Sequence, residues 1–286
     1  MITAGTVDHV PAPPTSLTDT TALVTGATDG LGRAVAGELA AAGAMVLIHG
    51  RDADRVRASE REIARIAGTE RVRSYLADFA SLEEVQLMAD ELLARERRLD
   101  VLVNNAGIGT TVPGDGERML SADGHELRFA VNYLAGYALT RRLLPLLRAS
   151  APARIVNVSS AGQAAIDFDD VMLERGYSGT RAYCQSKLAQ ILFTFDLADE
   201  LAGTGVTATC LHPATYMPTK IVSSPVSSLE EGVSATLRLA ADPSLEGVSG
   251  KYFSGTRESD ADPQAHDRDA RRRLGETSHT LAGAGA

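Results

Sequence analysis

The chain has 286 residues, of which 44% are hydrophobic and 23% charged, with a formal net charge of −9. That length suits one large α/β domain or two small ones, with enough apolar mass for a core. The acidic balance argues against a nucleic-acid backbone or an anionic membrane surface as partner. The two cysteines, Cys184 and Cys210, are too few for a disulfide framework and point to a reducing cytoplasm.

Residues 1–19 are polar and proline-containing, with no basic region followed by an apolar stretch. They read as a flexible lead-in and not as a signal peptide. No apolar run reaches the roughly 18–20 residues that cross a bilayer. Apolar β-type runs then occur at 21–25, 45–50, 72–76, 100–105, 154–160, 206–213 and 250–255. Helical patterns fill the gaps at 31–43, 53–67, 81–97, 123–149, 180–203 and 228–242. Strands alternating with helices of this length predict an α/β fold, a doubly wound parallel sheet of about seven strands with helices on both faces. Continuous apolar strands are what a sheet covered on both faces requires. No repeat, linker or composition break interrupts residues 20–255, so they are expected to form a single domain. Residues 256–286 read as a surface tail, with a short helix over 262–274 and a disordered last ten residues.

Chemistry-bearing motifs fall at the ends of the strands. After the first strand comes TGATDGLG, with Gly26, Gly30 and Gly32 between a strand and a helix. Backbone approaches a pyrophosphate at such a turn, and helix N–H groups point at it; the plain alternative is a glycine-rich turn. After the second strand, Gly50 stands where an acid would bind the ribose 2′-hydroxyl of NAD, and Arg51 follows. A guanidinium binds a 2′-phosphate that a carboxylate would repel, so NADP(H) is expected over NAD(H); a solvated arginine is the other reading. The fourth strand ends in Asn104-Asn105-Ala106-Gly107 and the fifth in Ser159-Ser160, places where open α/β sheets bind ligands and where turns also form. In YCQSK, Tyr183 and Lys187 lie one helical turn apart on one face, within reach of Ser160. An ammonium lowers a phenol's pKa from its usual value of about 10, although Tyr–Lys pairs on solvated faces are also ordinary.

Taken in order, TGATDGLG, LADF, NNAG, FAVN, VNVSSAG, YCQSK and LHPATYMPT across residues 20–255 resemble the short-chain dehydrogenase/reductase family. The resemblance implies a Rossmann-type sheet and a catalytic set of Asn132, Ser160, Tyr183 and Lys187. It makes Tyr183 the general acid in reduction and the base in oxidation. It makes Lys187 the group that tunes the phenol and binds the nicotinamide ribose, and Asn132 the holder of a relay water. It implies an NADP(H) site built from Gly26, Thr28, Asp29, Gly30, Leu31, Gly32, Arg51, Asp78, Phe79, Asn105, Ala106, Gly107, Tyr183, Lys187, Pro213 and Thr215, and no metal. The gap from Ser160 to Tyr183 is 23 residues, longer than the family's usual one. The extra stretch QAAIDFDDVMLERGYSGTRA, with LRFAVNYLAGY, resembles the branch containing retinol dehydrogenases and related bacterial carbonyl reductases. That branch has membrane-bound members, and this sequence shows no anchor. Ala214 replaces the glycine that many members carry after the proline.

The function implied is hydride transfer between NADP(H) and a small-molecule carbonyl or alcohol, most naturally reduction of an apolar or aromatic ketone or aldehyde. A nucleotide-sugar epimerase or dehydratase is the alternative, but about 75 residues after Cys210 leave little room for a substrate domain. A non-catalytic cofactor-binding scaffold is another, but it would not need Ser160. Candidate pocket walls are Ile166, Phe168, Met172, Tyr216, Met217, Ile221 and Val222, or these simply pack a lid. Excess apolar residues on two helices suggest a homodimer or homotetramer: Leu134, Ala138, Leu139, Leu143 and Leu146 on one, Leu188, Ile191, Leu192 and Phe195 on the other.

Overall fold

The apolar runs become strands of one sheet, and each helical pattern becomes a crossover. In the computed structural model, which describes residues 16–111, 113–215, 217 and 226–283, the strands are β1 (Thr21–Val24), β2 (Met45–Gly50), β3 (Val72–Leu76), β4 (Val101–Asn104), β5 (Ala153–Val158), β6 (Val206–His212), β7 (Lys251–Ser254) and β8 (Arg257–Glu258). Their order is β3-β2-β1-β4-β5-β6-β7-β8. All pairs are parallel except β7 with β8. The expected doubly wound sheet is therefore present, with an eighth, two-residue antiparallel strand added at its edge. The order reverses between β1 and β4, and in open sheets of this kind the carboxyl ends beside that reversal form the ligand crevice.

Helices cover both faces. One face carries α3 (Leu82–Arg95), the one-turn α4 (Leu127–Phe129), α5 (Ala135–Ala149), α6 (Gly179–Glu200), α8 (Pro263–His266) and α9 (Arg268–Ala282). It buries residues such as Met88, Leu139, Leu143, Leu188 and Leu192 against Leu23, Leu102 and Ile155 of the sheet. The other face carries α1 (Gly30–Ala41), α2 (Ala53–Ala67) and α7 (Leu229–Ala241). Here Val35, Leu39, Ile63 and Leu239 pack on Ala22, Val24, Val46 and Val156. Alternate residues of one strand thus serve opposite cores, which is why the strands read as unbroken apolar runs. The helix starts are set locally: Asp29, Asp52, Ser81, Ser178 and Ser228 cap α1, α2, α3, α6 and α7 with their side chains.

Four expectations change. The pattern over 123–149 is not one helix: α4 begins at Leu127, a π-helical turn spans Ala130–Leu134, and α5 follows. The lead-in is packed by residue 17, where the Leu17 N–H donates to the Ala42 carbonyl at 2.8 Å; residues 1–15 lie outside the described residues. Most of the residues proposed for an intersubunit face are consumed inside the chain: Leu134, Leu139, Leu143, Leu188, Ile191 and Leu192 are all 0% exposed, Ala138 and Phe195 are buried, and Leu146 is partly buried against the same core. Their apolar excess is matched by the sheet on one side and by α3 and α9 on the other, and it no longer argues for an oligomer.

The fourth change concerns the C-terminal tail, which is neither loose nor merely superficial. Helix α9 runs through residue 282 and packs on α6, with Ala270, Leu274 and Ala282 buried. The Tyr133 hydroxyl meets Ser278 Oγ at 2.7 Å beneath it, and Arg271 pairs with Asp199 of α6 at 3.0 Å. The sequence looks charged because most of the helix circumference faces water and its apolar stripe is narrow. Leu274 is 1% exposed, so Leu274→Ala should cost about 2–5 kcal/mol. Urea unfolding would show this as a lower midpoint with unchanged slope, whereas a peripheral tail would leave the midpoint unmoved.

Candidate active site

The glycine turn is built around Thr25. Its buried hydroxyl accepts hydrogen bonds from the Asn105 N–H at 2.9 Å and the Ala106 N–H at 3.0 Å, and Asn105 Nδ2 donates to the Thr25 carbonyl at 2.8 Å. The loops after β1 and β4 are thereby held as one unit. Gly26 has φ +65, in the region that favours glycine. A Cβ on Gly32 would collide with Asn105 Nδ2 and the Gly26 carbonyl, so helix and turn can close only with glycine there. Asp29 caps α1 by accepting from the Gly30 N–H at 2.8 Å, and its other oxygen pairs with Arg55 at 3.1 Å. His49 supports the turn from below: Nδ1 accepts from the Gly26 N–H at 3.2 Å and Nε2 contacts the Ala77 carbonyl at 3.0 Å. Its ring stacks on Phe79 with centroids 4.2 Å apart. Burial lowers the His49 pKa to about 4, so the ring is neutral with its proton on Nε2.

The end of β2 is exposed and carries arginines paired with aspartates. Arg51 is mostly exposed and stands 3.9 Å from Asp78, a loose pair that leaves the guanidinium available. A Cβ on Gly50 would strike Thr28 and Val56, so the absence of a side chain at 50 is a packing requirement of the glycine turn. Arg55, which the sequence reading passed over, stands beside Asp29 in the same region. A helix N-terminus, close-packed glycines and two arginines form a cradle whose chemistry fits the phosphates of a dinucleotide.

The proposed catalytic residues converge at the ends of β4, β5 and α6. Asn132 lies in the π-helical turn, buried. Its Oδ1 accepts from the Ile108 N–H at 2.7 Å, and its Nδ2 donates to the Ile108 carbonyl at 3.2 Å and to Ser186 Oγ at 3.0 Å. The Ser186 hydroxyl in turn donates to the Tyr183 carbonyl at 2.7 Å. Lys187 Nζ donates to the Val158 carbonyl at 2.9 Å and to Gln190 Oε1 at 3.0 Å, and lies 5.8 Å from the centre of the Tyr183 ring. Burial lowers its pKa to about 7. Ser160 Oγ accepts from the Gly162 N–H at 3.1 Å. A Cβ on Gly162 would lie 3.6 Å from Ser160 Oγ and 3.8 Å from Tyr183 Cε1, and one on Gly107 would lie 3.6 Å from Lys187 Nζ. Gly162 thus stands beside Ser160 and Tyr183, Gly107 beside Lys187 and Asn132, and the Lys187–Tyr183 approach links the two neighbourhoods.

The expected pocket walls sit differently. Ile166 is buried, and Phe168 and Met172 pack against the same core; Phe168 also lies under the Arg273 guanidinium at 4.6 Å. Met217 packs on the α1–α7 core, and a Cβ on Gly232 would strike its sulfur. Tyr216, Ile221 and Val222 lie outside the described residues. The 166–179 insertion is fastened by a buried cation that the sequence reading missed. Arg128 donates to the Gly109 carbonyl at 2.8 Å, the Thr110 carbonyl at 2.9 Å and the Tyr177 hydroxyl at 2.7 Å. The Tyr177 hydroxyl donates to Glu126 at 2.9 Å. At the other rim, Pro213 is buried, and Thr215 meets His212 Nε2 at 3.1 Å and accepts from the Ser227 N–H at 3.0 Å.

Comparison with known proteins agrees with this geometry. The family model for short chain dehydrogenase matches residues 20–228. Retinol dehydrogenase 13 of Mus musculus is 39% identical over 92% of this chain and 84% of its own length. Retinol dehydrogenase 14 of Homo sapiens is 39% identical over 92% and 86%. Among solved structures, an uncharacterized protein from Mycobacterium Paratuberculosis aligns with TM-score 0.76 and 30% identity over 94% of this chain and 95% of its own. The Pseudomonas aeruginosa RhlG/NADP active-site complex aligns with TM-score 0.70 and 27% identity over 85% and 97%. No helix among the described residues is long and apolar enough to cross a membrane, and no cluster of potential metal ligands occurs among them. The chain belongs to the short-chain dehydrogenase family, oxidoreductases that use a nicotinamide dinucleotide and act on small molecules.

Proposed function

We propose that the protein reduces an apolar ketone or aldehyde with NADPH. The observation that carries this reading is that Ser160 and Tyr183 stand together beside Gly162, with Lys187 Nζ 5.8 Å from the Tyr183 ring centre. A reduced nicotinamide, when bound, would supply the hydride that the carbonyl carbon takes up. The Ser160 hydroxyl orients the carbonyl oxygen, and Tyr183 gives that oxygen its proton, so hydride plus proton make the alcohol. Lys187 favours the resulting phenolate when charged. Asn132 holds the loop after β4 against α6, and its assignment as holder of a relay water follows the family resemblance. NADP(H) is favoured by Gly50, where an acid is sterically barred, and by Arg51 with Arg55 nearby. An apolar substrate is favoured by similarity to proteins named retinol dehydrogenases. Two free cysteines fit a reducing cytoplasm.

Two measurements test this reading, and a third tests the state of Lys187. Tyr183→Phe keeps the ring and removes the proton; turnover across a panel of apolar aldehydes and ketones should fall by about 10²-fold or more, while NADPH binding by fluorescence persists. Wild-type turnover in that variant would sink the mechanism. Arg51→Ala should raise the KM for NADPH by about tenfold, as for one exposed charge-assisted contact, and leave the KM for NADH unchanged. Equal use of both cofactors by the wild type would remove the basis for NADP(H).

The third measurement concerns Lys187. Its folded pKa of about 7 lies below the unfolded value of 10.5, so the unfolded chain binds more protons between those values. The lysine's contribution to stability therefore rises with pH from about 7 upward, and the full cost of the buried ammonium is present below it. The stability of wild type relative to Lys187→Met should rise by about 2–3 kcal/mol from pH 6 to pH 9. Urea unfolding of both cofactor-free proteins at each pH measures it, and a flat difference would contradict burial as the dominant effect on this amine.

A further inference from the structure

The chain leaving Ser160 is gripped from two sides. Toward α6, the Ala164 N–H donates to the Cys184 carbonyl at 3.3 Å, and the Asp167 N–H donates to Gln185 Oε1 at 3.3 Å. Both partners immediately follow Tyr183 in the helix. From the other side comes the C-terminal segment. The Ile166 N–H donates to Gln264 Oε1 at 2.6 Å, and Gln264 Nε2 donates back to the Ile166 carbonyl at 3.1 Å. The Asp262 N–H donates to Gln163 Oε1 at 2.7 Å, and Gln163 Nε2 reaches the Ser160 carbonyl at 3.4 Å. The Tyr252 hydroxyl of β7 donates to the same carbonyl at 3.1 Å. Two side-chain amides thus splice residues 262–264 onto 163–166, much as a third strand would, and α9 anchors the splice by its packing on α6.

The consequence lies at Ser160. Its hydroxyl is held by the Gly162 N–H, one residue before Gln163. A shift of the 162–166 backbone moves that donor, and with it the serine oxygen relative to Tyr183. We infer that Gln264 and Gln163 are positioning residues for Ser160, and that the C-terminal segment is thereby part of the reaction site's carbonyl side. This rests on the carbonyl-reductase reading above. The glycine turn, Arg51 and the Thr25 knot are built from other strands and owe nothing to the splice, so the effect belongs to the carbonyl and not to the dinucleotide.

A double-mutant cycle on the full chain tests it. Gln264→Leu removes both hydrogen bonds at similar volume. The kcat/KM for the best aldehyde or ketone in the panel should fall about tenfold, since small misplacements of a reacting group are expensive, while the NADPH dissociation constant stays within about twofold. In a Ser160→Ala background, measured by single turnover with enzyme in excess, the same substitution should cost less than about threefold, because the group it positions is gone. Gln163→Leu serves as the second variant should Gln264→Leu fail to fold. A lower melting temperature with unchanged kcat/KM, or an equal loss with and without the Ser160 hydroxyl, overturns the inference and leaves the amides a structural tie. A wild type that reduces no carbonyl in the panel overturns instead the reading on which it rests.

Discussion

The constraint on which the rest of the site depends is the side-chain amide of Asn132. It satisfies both the N–H and the carbonyl of Ile108, and also reaches Ser186 on α6. One residue therefore closes the loop after β4 in the manner of a paired strand while holding the helix that carries Tyr183 and Lys187. A regular α-helix through this stretch would turn at every 3.6 residues; the π-helical turn Ala130–Leu134 widens it where Asn132 lies. Such turns persist where a side chain repays the looser backbone, and here the repayment is three hydrogen bonds in a buried place, where leaving the same groups unpaired would be costly.

Below this knot runs a ladder of buried polar groups that links the layers. Asn104 donates to Thr140 of α5 and to Asn157 of β5, and Asn157 donates to Thr194 of α6. The Thr194 hydroxyl donates to the Gln190 carbonyl, and the Gln190 side chain accepts from Lys187 Nζ. A core of this kind is specified by direction as well as by volume, because each amide must find its partner or forfeit a desolvated hydrogen bond. It keeps α5 and α6 in fixed register to the sheet, and the ends of β4 and β5 in register to each other, which is what a site assembled from several chain segments needs.

What was legible in the sequence was local or periodic. The strands announced themselves through continuous apolar runs, the glycine turn through its place between β1 and α1, and the Tyr183–Lys187 pair through a single helical turn. What was not legible depended on partners far away in the chain. His49 looks like a stray polar residue in β2 until the Gly26 N–H and the Ala77 carbonyl are placed on its two nitrogens. Arg128 gives no local signal of its role until the carbonyls of the loop after β4 and the Tyr177 hydroxyl of the insertion are placed around it. The last thirty or so residues read as a tail because α9 buries only a narrow stripe, and neither a stripe of that width nor the contribution of Gln264 carries a periodic signal. The helix faces read as an intersubunit surface show the complementary limit: apolar excess says that a face is covered, and it does not say by what.

The amine of Lys187 shows why burial and chemistry have to be considered together here. An ammonium in solution would lie far above neutrality, and a lysine that remained so would be charged whatever stood beside it. Enclosed among Val158, Gln190 and the ladder, with only neutral acceptors, its pKa falls to about 7. Its charge at neutral pH is then decided by small changes in surroundings, since an anion nearby raises it and further desolvation lowers it. On the proposed reading, the anionic dinucleotide that the cradle accommodates favours the ammonium, and the ammonium favours the phenolate of Tyr183. The tuning of the acid is thus made conditional on the site being filled. The same burial that costs stability in the empty protein makes the lysine responsive in a way that an exposed Tyr–Lys pair on a solvated helix could not be.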